Sequence, residues 1–543
     1  MLRALPDIGP IYLLIRPRVG ATAVEAAERL EREVVATGAF DRLKEEWGAA
    51  FPRRLSEKVR VVSGDIAADR LGLSDADYEQ LTSEVSIVVN CAALVVFDEP
   101  LDRALALNAI AARRVAEFAR ACGNARLVHV STAYVNGRNP AVAREVVLPS
   151  EGQVPPGWEG PVLPDDPEAE IGRLLSLCAQ VEAESHRPAR ARYFVREARR
   201  GPGSDGDAPH VEDPVEGARR RWVKERLIRA GMAQAKARGW NDTYTFTKAL
   251  GEQLIVRVRG DMPTAIVRPS IIESSLNEPE PGWIDGLRMA DPVIIAYGKG
   301  RVPDFPANPN IVIDFIPVDY VVNAILAIVP HLDREGGLEV FHVATGTANP
   351  LTFGVLYDRA RAHFREEPML DRNGMPIAGR AWSFPSVRAF RRQLRYRYLY
   401  PLRIAAAFLN RLGNMAWTRR VRYRLGVALN ALERLDYYAV IYGPYVRRSY
   451  LFDTSRTEAL YDRLSDAERR RYCFDLRAID WQHYIQRVHI PGLRRNVLKI
   501  GQGRARPPIA EEALLDAKTR PADAFSGPGY ADGQEDETAD AGD

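Results

Sequence analysis

VSIVVNCAALVVFDEPLDRALALNAIAARRVAEFARACGNARLVHVSTAYVNG, residues 85–137, is the stretch that decides the fold. It begins and ends in apolar runs, VSIVVNCAA (85–93) and RLVHVSTAYVNG (126–137), rich in Val and bounded by Asn, Ser and Gly, as strands are. Between them RALALNAIAARRVAEFARAC (103–122) repeats apolar residues at helical spacing, with Arg and Glu on the remaining face. A helix between two strands is a crossover, and a crossover makes its strands parallel. Parallel strands are covered on both faces, so they read as continuous apolar runs rather than alternating ones.

The same alternation extends outward. PIYLLIR (10–16) reads as a strand, Ala23 to about Glu46 as a helix, and VRVVSGDI (59–66) as the next strand. Downstream, sheet character returns at PTAIVRPSII (263–272), IVIDFIPVDYVVNAILAIV (311–329) and EVFHVATGT (339–347). Repeated strand–helix units imply an α/β fold, a doubly wound parallel sheet that binds ligands at the carboxyl ends of its strands. The interval 141–240 breaks the pattern with a Pro/Gly-rich stretch at 149–164, a helix near 167–184, a loop at 201–210 and a charged helix at 214–238. It reads as a helical insertion that builds a lid or a wall beside the site. Residues 1–350 then form one domain and 351–502, Arg- and aromatic-rich, a second, mainly helical one; 503–543 has the composition of a disordered tail.

Composition narrows the class. Across 543 residues, 46% apolar and 27% charged content is ordinary for a globular protein, and a net charge of +3 argues against a nucleic-acid binder. Cys91, Cys122, Cys178 and Cys473 form no CxxC pair and stand near no His at ligand spacing, so reduced thiols in a cytosolic protein and no metal site are expected. The His residues do not cluster in sequence. MLRALPDIGP has no secretory character, and no window approaches the roughly 20 apolar residues that span a bilayer, so the chain is expected to be soluble or membrane-peripheral. Arg380 to Arg424 holds a dozen Arg and no carboxylate, interleaved with aromatic residues such as Trp382, Tyr396 and Trp417. Such a stretch suits the phosphates of a ligand, an anionic membrane or a solvated helix face.

The chemistry is concentrated in NDTYTFTKALGEQL, where Tyr244 and Lys248 stand four residues apart and share one helix face. A phenol is a poor proton shuttle at its usual pKa of about 10, and a neighbouring ammonium is expected to lower it. HVSTAYVNG places the hydroxyls of Ser131 and Thr132 directly after a strand, where either can hydrogen-bond a carbonyl oxygen.

Thr132, Tyr244 and Lys248 on such a sheet resemble the triad of extended short-chain dehydrogenases, a Rossmann-type fold. Within that group the chain resembles the fatty acyl-CoA reductases. The likeness is carried by YLLIRPR (12–18), GDI (64–66), VNCAA (89–93), HVSTAYVNG, YTFTKALGEQL, IVRPSIIESS (266–275), PGWIDG (281–286), FIPVDYVVNAI (315–325) and FHVATG (341–346). YLFDTSRTEALYDRLS (450–465) and CFDLRAIDWQHYI (473–485) resemble the family's C-terminal sterility-type domain. The resemblance implies NADPH as cofactor and long-chain acyl-CoA as substrate, reduced to aldehyde and then primary alcohol. It selects Thr132 over Ser131 for the triad. It implies that Arg16 and Arg18 meet the adenosine 2′-phosphate and Asp65 and Ile66 the adenine. Ala92 and Ala93 would admit the dinucleotide backbone, Lys248 would hold the nicotinamide ribose, and Pro269 through Ile272 would flank the nicotinamide.

The family also begins with a strand, a TGxxGxxG turn and a helix whose amides receive the pyrophosphate, whereas LRALPDIG reads as the end of that helix. The coding region is therefore expected to extend upstream by about 30 residues, and strands flanking the absent one to show apolar edges. Two other readings stay open: a thioester reductase acting on carrier-bound chains or stopping at aldehyde, and a non-catalytic lipid- or membrane-binding protein.

Overall fold

The computed structural model describes residues 1–17, 23–139, 141–199, 213–287, 289–302, 304–332, 337–371, 373–411 and 416–500. Arg18, the loop at 201–210 and the tail from 503 lie outside them.

Among the described residues eight strands form in chain order: β1 (Ile11–Ile15), β2 (Val59–Ser63), β3 (Ile87–Asn90), β4 (Arg126–Val130), β5 (Thr264–Pro269), β6 (Ile271–Glu273), β7 (Phe315–Pro317) and β8 (Leu338–Val343). All pairings between these strands are parallel. The central sheet runs β3-β4-β5-β8, β1 pairs with β2, and β6 pairs with β7. The stretch 85–137 thus forms the β3–helix–β4 crossover it spelled out, with Ile87 opposite Arg126 and Asn90 opposite His129.

Between the β1-β2 pair and the central sheet no ladder forms among the described residues. On β3, Ile87 and Val89 are 42% and 38% exposed, and every residue of β1 is only half-buried. Both strands thus leave apolar residues partly open to solvent. The two sheets meet through a shared apolar cluster in which Leu14 and Val62 join Leu127, Val115 and Leu81.

Helices α1 (Asp75–Glu84) and α2 (Ala111–Ala121) cover that cluster. Two sequence expectations change here. The helix expected from Ala23 to Glu46 is broken into Ala23–Arg29, Leu30–Val35 and Asp41–Trp47, since Thr37 takes an extended backbone before Gly38. In the run 311–329 only Phe315–Pro317 is strand, followed by α8 (Val318–His331); a β-branched run mimics a buried strand when both faces of a helix are covered.

The insertion folds into α3 (Pro167–Ser185), α4 (Pro188–Ala198) and α5 (Pro214–Ala237), capped by Asp166 and Asp213. Their apolar faces, including Leu174, Phe194, Trp222 and Leu227, pack on Leu101, Leu105 and the outer side of α6 (Thr243–Val258). The described part of the insertion thus buttresses α6. After α7 (Asp291–Gly298) and α8, the helical region begins at α9 (Phe353–Glu366) and includes α10 (Tyr400–Arg411) and α11 (Ala416–Ile441). It shares one core with the sheet, since Val267 and Phe315 belong to the same cluster as Phe353, Phe474 and Tyr484.

Candidate active site

Helix α6 carries Tyr244 and Lys248 into the interior, and from Thr243 to Glu252 every residue is buried. So polar a buried segment requires internal partners. Asp242 caps it by accepting from Thr245 N at 2.8 Å, and Thr247 Oγ1 donates to Thr243 O at 2.8 Å. At Gly251 the helix presses on the preceding π-turn Leu105–Ile110, where an added Cβ would collide with the Asn108 carbonyl. From β5, Arg268 donates to both Glu252 oxygens, at 3.0 and 2.6 Å, and further to Val146 O at 2.9 Å.

The triad expected from sequence is brought together at the carboxyl end of β4. The Thr132 side chain approaches the Tyr244 phenol closely enough to favour its ionised form, and Thr132 also caps the turn Ala133–Asn136. Lys248 Nζ donates to Val130 O at 2.8 Å and lies 3.3 Å from His129 Nε2. Burial pushes the Tyr244 phenol above its ordinary range, with the Asp242 charge adding to the rise and only the Thr132 side chain opposing it. This corrects the expectation that Lys248 lowers it: the ammonium is turned toward the strand end and is not among the groups acting on the phenol. Burial also lowers Lys248 to about 8, against the pull of Glu252 and Cys91.

The other expected residues line the same edge of the parallel strands. Arg16 follows β1 and is exposed, with its backbone oxygen accepting from Arg29. Asp65 follows β2 and accepts from Ala67 N at 2.9 Å, and Ile66 packs on the apolar cluster beside it. After β3, Ala92 is exposed and Ala93 half-buried; Pro269 ends β5 and is buried, while Ile272 in β6 is half-buried. Ser131 Oγ is buried without a hydrogen-bond partner, an available donor beside Thr132. These residues suit the two ends of a nicotinamide dinucleotide: the orphaned hydroxyl and Lys248 at the nicotinamide end, Arg16, Asp65 and Ile66 at the adenosine end. The described residues contain no Gly-rich turn with amides for the pyrophosphate between them.

Sequence reading missed several neighbours. Asn108 sits in an apolar helical run, a polar intruder that could have been noticed; it bonds both polar atoms of Leu94 and lies 3.3 Å from Thr247 Oγ1. His129, held neutral by burial and by Lys248, bonds Asn90 at 3.1 Å. The C-terminal region supplies aromatic rings that no local signal announced. Tyr445 donates to the Asp242 carboxylate, and Phe97 stacks on Tyr445 at 5.3 Å while contacting Tyr244 at 6.1 Å. Folding also joins histidines that are dispersed in sequence. His489 Nε2 lies 3.1 Å from Asp291, and with Glu273 they form the one group of donors among the described residues close enough to share an ion. His489 Nδ1 is 3.0 Å from Ser274 Oγ, so the group ties the C-terminal segment to β6. All four cysteines are free thiols.

Comparison with known proteins adds an independent line. The male sterility protein family profile that describes NAD-binding domains matches residues 1–325, and a second male sterility profile matches 407–500. Fatty acyl-CoA reductase 2, chloroplastic, of Arabidopsis thaliana is 34% identical over 508 residues, covering 92% of this chain and 75% of that protein. Fatty acyl-CoA reductase 1 of the same plant is 34% identical over 92% of this chain and 94% of its own length. The alcohol-forming fatty acyl-CoA reductase of Simmondsia chinensis is 34% identical, covering 92% and 93% respectively.

Proposed function

Because this chain belongs to the fatty acyl-CoA reductase family, we propose that it reduces long-chain acyl-CoA with NADPH, first to the aldehyde and then to the primary alcohol. What supports this reading in the fold is the approach of Thr132 to the Tyr244 phenol at a strand's carboxyl end, with Lys248 one helical turn along. When bound, the dihydronicotinamide supplies the hydride. Tyr244, kept protonated by its buried setting, donates its proton to the oxygen that gains charge, and Thr132 orients that phenol. Lys248 would hold the nicotinamide ribose. Collapse of the resulting hemithioacetal expels the CoA thiol, and the aldehyde returns to the same proton donor for the second reduction. With hexadecanoyl-CoA, two NADPH should be consumed per thiol released. One per thiol would mean an enzyme that stops at aldehyde, turnover only of carrier-bound chains a thioester reductase, and none with either a different function.

Arg16 is the basis for choosing NADPH over NADH. Its exposed guanidinium follows β1, where a carboxylate would select the unphosphorylated ribose. Arg16→Ala should raise KM for NADPH about tenfold and leave KM for NADH nearly unchanged, since one charge-assisted contact is worth about 1.5–3 kcal/mol. Equal effects on both cofactors would remove Arg16 from that role.

We further infer peripheral membrane contact at α10 and α11. No described helix is long and apolar enough to cross a membrane. Part of the basic charge is answered from outside the Arg-rich segment, by Asp436 on Arg391 and Glu433 on Arg403. Yet Tyr396, Tyr400, Ile404 and Phe408 form an exposed stripe at four-residue spacing, joined by exposed Trp417 and Tyr423 and by exposed Arg397, Arg420 and Arg424. Apolar rings among Arg suit an anionic lipid surface better than CoA phosphates alone. Vesicles containing phosphatidylserine should sediment the protein at low salt and release it at high salt. Sedimentation with neither anionic nor neutral vesicles would leave the stripe as ordinary surface.

A further inference from the structure

An apolar slit opens beside the catalytic tyrosine, where the helical region meets the sheet. Ile271 and Tyr442 stand at one side of it, Ile294 on α7, Leu356 and Ala360 on α9, and Trp382 at the others. Its open space is about 60 Å³, so side chains must move apart for it to take a long chain. Its polar atoms are engaged elsewhere: Trp382 Nε1 donates to Val302 O at 2.8 Å, and Tyr357 OH accepts from Trp382 N at 2.8 Å. The lining therefore presents ring faces and alkyl groups, which favour a chain of methylenes and offer nothing to a sugar or phosphate.

The slit ends one aromatic ring, Phe97, from the proposed reaction centre. Tyr442 and Tyr445, both on its wall, contact the Phe97 ring at 5.7 and 5.3 Å, and Phe97 contacts Tyr244 at 6.1 Å. Ile271 stands two residues after Pro269, the strand end assigned to the nicotinamide. A thioester carbonyl held at Tyr244 would lie one aromatic ring from this wall. We propose that the slit receives the acyl chain of the substrate and that Ala360 and its neighbours set the accepted chain length, an inference that rests on the acyl-CoA reductase reading above.

Ala360 has the smallest side chain among the wall residues named here, so Ala360→Phe should obstruct the slit. The ratio of kcat/KM for hexadecanoyl-CoA to that for octanoyl-CoA should fall at least tenfold, and binding of an 18-carbon fluorescent fatty acid should weaken in parallel. Met289→Trp, at a half-buried wall position, carries the same test if the first variant folds poorly. Folded variants with an unchanged ratio and unchanged fatty-acid binding would overturn the pocket while leaving the reductase reading intact. Fatty-acid binding lost in the variants, in a protein that reduces no acyl-CoA, would keep the pocket and overturn the reductase reading. A protein showing neither turnover nor fatty-acid binding would overturn both.

Discussion

Tyr244→Phe should lower turnover of acyl-CoA by about 100-fold or more, the usual worth of a positioned proton donor, while NADPH binding stays close to wild type. The substitution removes one oxygen from a buried helix face and leaves the ring in contact with Phe97. Packing is therefore preserved, and the loss reports the missing proton. Thr132 keeps its bond to Tyr134 N at 3.3 Å. The pH dependence follows from Lys248. Its pKa is lowered to about 8, so the ammonium is present below that pH and is lost as pH rises through it. Since the ammonium is the group that would hold the ribose, KM for NADPH should rise above about pH 8, and a Lys248→Met enzyme should lack that dependence. Wild-type rates in the Tyr244→Phe enzyme would take the phenol out of the chemistry.

Glu252→Ala should be the most destabilising single change in the reductase region, by about 3–5 kcal/mol, because it strands a buried charge. Arg268 is fully buried, and its forked bond to Glu252 is the link that fixes α6 to β5. Removing one partner leaves a guanidinium that only Val146 O and His342 Nε2 answer. Against a typical total of about 5–15 kcal/mol, that loss is large enough to read directly in urea or thermal unfolding. Replacing both partners together, as Glu252→Met with Arg268→Met, should cost far less than the single change, since an apolar pair leaves no orphaned charge. Equal losses for the single and double variants would show that packing, and not the ion pair, holds the helix.

Both of these residues stand in motifs that the sequence reading quoted, ALGEQL and IVRPS, and neither was assigned a role there. An arginine in a strand and a glutamate in a helix carry no local mark of being paired. Their meeting depends on how α6 crosses the sheet, which is set by packing across Gly251 and the insertion's apolar faces.

What the amino-acid sequence determined by itself was what local periodicity and spacing encode. Continuous apolar runs separated by amphipathic helices gave parallel strands, because buried strands and one-faced helices must be written that way. Four-residue spacing put Tyr244 and Lys248 on one helix face, and a strand end placed Thr132 where Tyr244 meets it. Tertiary structure alone decided the rest. It turned Lys248 toward Val130 O, made the insertion a buttress, and brought Tyr442 and Tyr445 against Phe97 from more than three hundred residues away in the chain. Ring packing and burial depend on the whole surface that closes over a residue, so the direction of the Tyr244 pKa and the apolar slit beside it are properties of the assembled core and not of any segment within it.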